Sequence, residues 1–329
     1  MSKRKEEKKR KKVKSLVLLL VLTIIMFSTA TYAWFTANQT VTVSTLDVHV
    51  EASNGLQIST NASEWKTVIT NADITAGYAG AKNMVPATLN AVSTDGTVSE
   101  SELNMYKGVV GSNAQTGEYT ITATKSPAKA GSTGDYIAFD MFLRVDQAQT
   151  IYLTTSSNVI AKEGTEDKGL KNAARVGFVT LGNASSETAA GTLQALNTPA
   201  ATAIIWEPNA DAHTARGNAS AIEYGITVDN KTNRTGYFGL KKEITQQTKL
   251  KEAMNGTDTT NTAEVTPNVV TPETYAGEYQ QVVRLEAGVT KIRVYMWIEG
   301  QDVDCENNAS GTDISYNVQL STQSSAAGN

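Results

Sequence analysis

The densest group of side chains that could do chemistry lies in DVDCENNASGTD, residues 302–313. Asp302, Asp304, Glu306 and Asp313 stand at the first, third, fifth and twelfth positions of this run. At that spacing a tight turn aims alternate oxygens at one hard cation such as calcium. Three features argue against a standard calcium loop: Asn307 replaces the turn-forming glycine, Asp313 replaces the bidentate glutamate, and the flanking segments read as strands. The plainer expectation is a solvated acidic turn between the last two strands.

Other chemistry finds less support. His49 and His213 are the only histidines, and neither stands in an HExxH pattern or near the cysteine in sequence, so a zinc site is not expected. His49 falls on the polar side of an alternating segment, where a solvated ring is expected. The single cysteine, Cys305, is flanked by Asp302, Asp304 and Glu306, whose negative charge opposes thiolate formation; it reads as a small, half-buried residue. No G-x-S-x-G elbow and no GxxxxGK[ST] phosphate loop occurs. Glu64 and Asp73 are an acidic pair that folding would have to bring together. The expectation is a protein that is not an enzyme and has no cofactor, calcium at 302–313 being the one candidate.

The elements that must position these residues alternate with period two. TVTVSTLDVHVEA (40–52) sets Val41, Val43, Leu46, Val48 and Val50 against polar neighbours, as a half-buried strand does. Asn54-Gly55 suggests a tight turn into a return strand, LQIST. Further strands are expected at 118–124, 136–145, 150–156, 174–181, 201–207, 221–228, 279–287, 290–300 and 313–322. RLEAGVTKIRVYMWIEG reads as a core hairpin turning at Gly288, with Ile292, Val294, Met296 and Ile298 facing inward. Residues 241–256 read as the one short helix, and 90–117, 157–173, 182–200, 208–220 and 255–278 as long loops. The fold class is therefore all-β, an antiparallel β-sandwich with long loops, its core built around Phe139, Phe142, Ile205, Trp206, Tyr295 and Trp297.

Charge is distributed unevenly. Residues 1–14 hold nine Lys or Arg against two Glu, so within a net charge of -4 the rest of the chain carries -11. An acidic body repels phosphate, which speaks against a nucleic-acid partner. The basic run precedes an apolar stretch with no charge between Lys14 and Asp47. Two readings are open: a secretory signal cut after Ala33, leaving Trp34 at the mature N-terminus, or a signal anchor retained across residues 15–35 as a hydrophobic helix. Either one exports the remainder of the chain. The expected organisation is residues 1–33 as signal or anchor, 34–322 as one sandwich domain and 323–329 as a disordered tail.

The run TATYAWFTANQTVTVSTLDV resembles the export signals of Gram-positive bacterial surface proteins cut by the SipW type of signal peptidase, best known from the camelysin and TasA group. VEASNGLQISTNASEW, IIWEPNADAHT and VYMWIEGQDVDC are similar to stretches of uncharacterised exported clostridial proteins. The resemblance implies processing by a signal peptidase, a jelly-roll sandwich and a place at the cell surface or in the biofilm matrix; it carries over no catalytic residue. It also implies fibre growth by strand exchange, with Trp34, Phe35, Val41 and Val43 in the donor strand, although the same strand could pair within its own domain. The expected function is thus an exported structural or adhesive protein that self-assembles or binds a surface glycan or matrix protein. It would touch the membrane only through its N-terminal segment. The alternative is a carbohydrate-binding sandwich using Trp65 and Tyr78 as exposed platforms.

Overall fold

The computed structural model describes residues 47–53, 55–269, 280–306, 309 and 311–323. Ala33, Trp34, Phe35, Val41 and Val43 lie outside these residues, as do the expected N-terminal helix and residues 324–329 of the tail. Two main sheets carry thirteen strands among the described residues. Numbered along the chain they are β1 (Asp47–Ser53), β2 (Gln57–Ser59), β3 (Val68–Ile69), β4 (Ala91–Val92), β5 (Ile137–Val145), β6 (Gln149–Leu153) and β7 (Asn158–Ala161). They continue with β8 (Ala174–Ala184), β9 (Ile204–Glu207), β10 (Asn268–Val269), β11 (Gln280–Leu285), β12 (Gly288–Glu299) and β13 (Ile314–Ser321). One sheet runs β11-β6-β13-β1-β3 with β7 also on β13; the other runs β10-β9-β8-β12-β5-β2 with β4 also on β12. Most pairings are antiparallel, as expected for the all-β class.

The outer sheet keeps the alternation of a two-faced strand: along β13, Ile314, Tyr316, Val318 and Leu320 are buried while the residues between them are part-exposed up to Gln319. Tyr316 donates its hydroxyl to the Trp297 carbonyl at 3.1 Å and so ties the two sheets together. The central strand β12 behaves differently. All twelve of its residues are buried, because connecting segments cover its second face as well. On that face Tyr295 and Trp297 pack with Met84, Val92, Leu103, Met105 and Ile205. The expected core residues Phe139, Phe142, Ile205, Trp206, Tyr295 and Trp297 are all buried.

Several local expectations are corrected. β1 and β2 do not form a hairpin: Gly55, at φ +83, passes the chain between sheets, and β1 instead runs parallel to β13 from Asp47↔Ser315 to Ser53↔Ser321. β11 and β12 likewise belong to different sheets. Gly288 between them has φ +111, and a Cβ there would stand 2.2 Å from the Ala184 carbonyl oxygen, so the crossing requires glycine. The first half of the strand expected at 221–228 lies in a helix, Ala215–Tyr224, whose N-cap Thr214 accepts a hydrogen bond from Gly217 N and whose C-cap Gly225 is left-handed. The helix expected at 241–256 is a strand, Ile244–Lys249, followed by one turn and a half of helix, Leu250–Met254. The supposed loop 90–117 contains the strand Tyr106–Ser112, which pairs along its whole length with Tyr119–Lys125.

Candidate functional site: a buried acidic network beside the central strand

The acidic run comes directly after β12, and it is not solvated. Asp302, Asp304, Glu306 and Cys305 are all buried, and only Asp313 of the four candidate ligands is part-exposed. Their carboxylates turn to different partners. Asp302 accepts a hydrogen bond from Arg175 Nη2 at 2.6 Å, and the same nitrogen donates to Glu207 on β9 at 2.5 Å. Asp304 accepts from Thr214 Oγ1 at 2.5 Å and Asn172 Nδ2 at 3.0 Å, and lies 3.0 Å from His213 Nδ1. Glu306 accepts from Ser220 Oγ at 2.7 Å and pairs with Arg216.

The helix Ala215–Tyr224 closes this network from outside. Asp304 sits against its N-terminal turn, where free N–H groups favour an anion. The approach is close enough that a Cβ on Gly217 would fall 2.3 Å from Asp304 Oδ1. Burial pushes the Glu207 and Glu306 carboxyls up, only partly offset by Arg175 at Glu207 and by the Ser220 hydrogen bond and Arg216 at Glu306. Asp304 goes the other way: burial raises it, but hydrogen bonds from His213, Thr214 and Asn172 outweigh that and hold it below the usual range. Burial alone would lower His213, yet Asp302, Asp304 and Glu207 around it bring it up to about 8.

Among the described residues, the metal-type donors that come together are Glu207, His213 and Asp302, all buried, with ligand atoms within 4.8 Å of one another. Asp304, Glu306 and Asp313 do not join them. The donor set suits a transition metal better than calcium, since it includes an imidazole. A guanidinium already bridges the two carboxylates, however, and the fully buried Arg175 also donates Nη1 to the Asn172 and Ala174 carbonyls. Arg175 therefore serves as the cation of this cluster, and the residues present do not fit a metal beside it.

A second polar cluster lies farther back along the same face of β12. Asp140 on β5 accepts from Arg293 Nε at 2.7 Å and from the Tyr78 hydroxyl at 2.5 Å, with Lys291 Nζ 3.3 Å away. Burial raises Asp140, but Arg293 and its other donors more than reverse this and keep it ionised. Tyr78 is thereby held inward, against Phe142 with ring centroids 6.0 Å apart. Trp65 is covered by the Arg144 guanidinium, 4.2 Å from its ring centroid. Both aromatics, expected to be exposed, are part-buried.

The remaining candidates stay apart. Asp73 pairs with Lys66 and caps the helix Asn71–Ala76, while Glu64 is exposed. The side chain of His49 lies outside the described residues. Two open grooves, of ≈ 250 Å³ beside Tyr78 and Gly131 and ≈ 290 Å³ between Tyr119, Tyr224 and Lys249, carry none of the buried network's residues. Among the described residues no helix is long and apolar enough to cross a membrane. Comparison with family models, with curated proteins and with solved structures finds no match.

Sequence reading missed Arg175, Glu207, Asp140, Lys291 and Arg293 as members of these clusters. One signal was present: on β12 the charges of Lys291, Arg293 and Glu299 alternate in register with Tyr295 and Trp297, and such large aromatics are seldom left on an open face.

Proposed function

We propose that this chain is an exported, non-enzymatic structural or adhesive protein of the bacterial surface or extracellular matrix, whose copies join by exchange of an N-terminal strand. One observation carries the reading. Among the described residues β1 pairs along its whole length with β13, but on its other side it meets only β3, through Val50↔Ile69 and Glu51↔Val68. Among the described residues nothing pairs with residues 47–49 on that side, and the apolar alternating stretch 34–46 directly precedes them in sequence. An extended segment of a second copy would pair there. The resemblance of the signal to the camelysin and TasA group supports the same reading, as does the use of the densest charges to fasten the fold internally. Export with a cut near Ala33 would leave Trp34, Phe35, Val41 and Val43 in the exchanged segment.

The test is N-terminal sequencing of the protein recovered from its native host, followed by light scattering of the same material. A start near Trp34 with growth into large assemblies supports the proposal. A retained basic N-terminus in the membrane fraction, with a monomeric exported part, overturns it.

A further inference from the structure

We infer that Glu299 carries a proton at neutral pH and that this proton latches the segment 208–267, which meets the end of β12 through Tyr237 and Phe238, onto that strand. The assignment comes from counting hydrogens. The Tyr237 hydroxyl lies 2.8 Å from the Thr94 carbonyl oxygen and 2.5 Å from Glu299 Oε2. A carbonyl only accepts, and a phenol has one proton to give. With that proton on Thr94, the short contact to Glu299 needs a second hydrogen, and the carboxyl is its only source. An ionised Glu299 would set acceptor against acceptor, or would draw the hydroxyl away and leave the buried Thr94 carbonyl without this donor.

The surroundings agree. Glu299 is fully buried, and burial pushes its carboxyl up despite hydrogen bonds from Ser93, Trp297 Nε1 and Gln301 N. The charged and titratable groups facing it are Tyr237 itself, raised well above its ordinary range by burial, and Arg175, 5.4 Å from the Tyr237 ring. Arg175 is already held by Glu207 and Asp302. The contact is also a mechanical junction. Leu240 N donates to Ser93 Oγ at 3.0 Å and Gln301 Nε2 to the Phe238 carbonyl at 3.1 Å, so strand, covering segment and residues 93–94 meet at one carboxyl. In an opened segment Glu299 would meet water and ionise in the ordinary carboxylate range, releasing its proton to solvent. Opening is then favoured about tenfold for each pH unit above that range, until the closed form also loses its proton.

The experiment pairs infrared spectra with limited proteolysis of the whole chain, between about pH 5 and pH 8. The expected result is a protonated-carboxyl stretch at neutral pH that is missing in Glu299→Gln. Cleavage within 208–267 should rise with pH in the unmodified protein, and its rise should be shallower by about one decade per pH unit in the variant. Absence of the stretch in the unmodified protein at neutral pH overturns the inference, as does an equal pH slope in both proteins. Should Glu299→Gln fail to fold, Tyr237→Phe decides: removing the partner of this one carboxyl must move the stretch, and an unmoved stretch overturns the inference.

Discussion

At the scale of single residues, the acidic run shows how burial changes the meaning of a motif. Acids at the first, third, fifth and twelfth positions have the spacing of a cation turn, but three of the four are enclosed and claimed by protein donors. Sequence supplied the acids and withheld their partners, since Arg175, Glu207 and His213 reach them from distant parts of the chain. Arg175→Met would leave Glu207 and Asp302 buried without their cation. The expected loss is about 3–5 kcal/mol of stability, read from urea unfolding. Gly217 is constrained for another reason. In Gly217→Ala the new Cβ meets Asp304 Oδ1, and Asp304 cannot swing away while Thr214, Asn172 and His213 hold it. A loss of roughly 1–3 kcal/mol is expected, and an unchanged unfolding midpoint would show that the helix shifts freely.

At the scale of elements, the strands were legible because their period-two pattern survives wherever one face meets solvent or a single core, as in β13. The pairing was not legible. Gly55 and Gly288 both read as hairpin turns, and both instead carry the chain across to the other sheet. Residues 215–224 defeated the pattern, because Ala221 and Ile222 with Tyr224 and Ile226 after them imitate alternation, while the cap Thr214 and stop Gly225 were the decisive signs. That helix is tied down through His213, which joins the acidic run to Thr235 at 3.1 Å. A folded value of about 8, above the ordinary 6.5, means that the charged imidazole contributes stability fully below about pH 6.5 and loses it as pH rises through about 8. The contribution is on the order of 2 kcal/mol. Thermal melts of His213→Gln should therefore lie below those of the parent at pH 6 and converge toward them above about pH 9. A gap that stays constant with pH would assign His213 a packing role alone.

At the scale of the whole molecule, the question is what pairs with the side of β1 at residues 47–49 where no described residue does. Exposed edges invite pairing with other chains, and proteins usually cover, shorten or charge them. Among the described residues β3 pairs with two residues of β1 and Ala52 N donates to the Thr67 carbonyl, and the segment ahead of β1 alternates Val41 and Val43 with threonine. Two destinations satisfy both that side of β1 and the segment: the segment folds back on its own sheet, or it completes the sheet of a neighbour. Closure within one chain gives a monomer, whereas transfer to a neighbour repeats without closing and gives a fibre. A chain beginning at Trp34 and one beginning at Asp47 separate these outcomes. The shorter chain keeps every described strand of both sheets, so it should fold and give the circular dichroism of a β protein. Under strand exchange the longer chain grows to large scattering species and the shorter stays monomeric, while a synthetic peptide spanning 34–46 binds the shorter chain and stops growth of the longer. Replacing Val41 and Val43 by lysine in the longer chain should abolish growth without lowering the unfolding midpoint. Monomeric behaviour of both chains, with a lower midpoint for the shorter, would mean that the segment serves its own sheet.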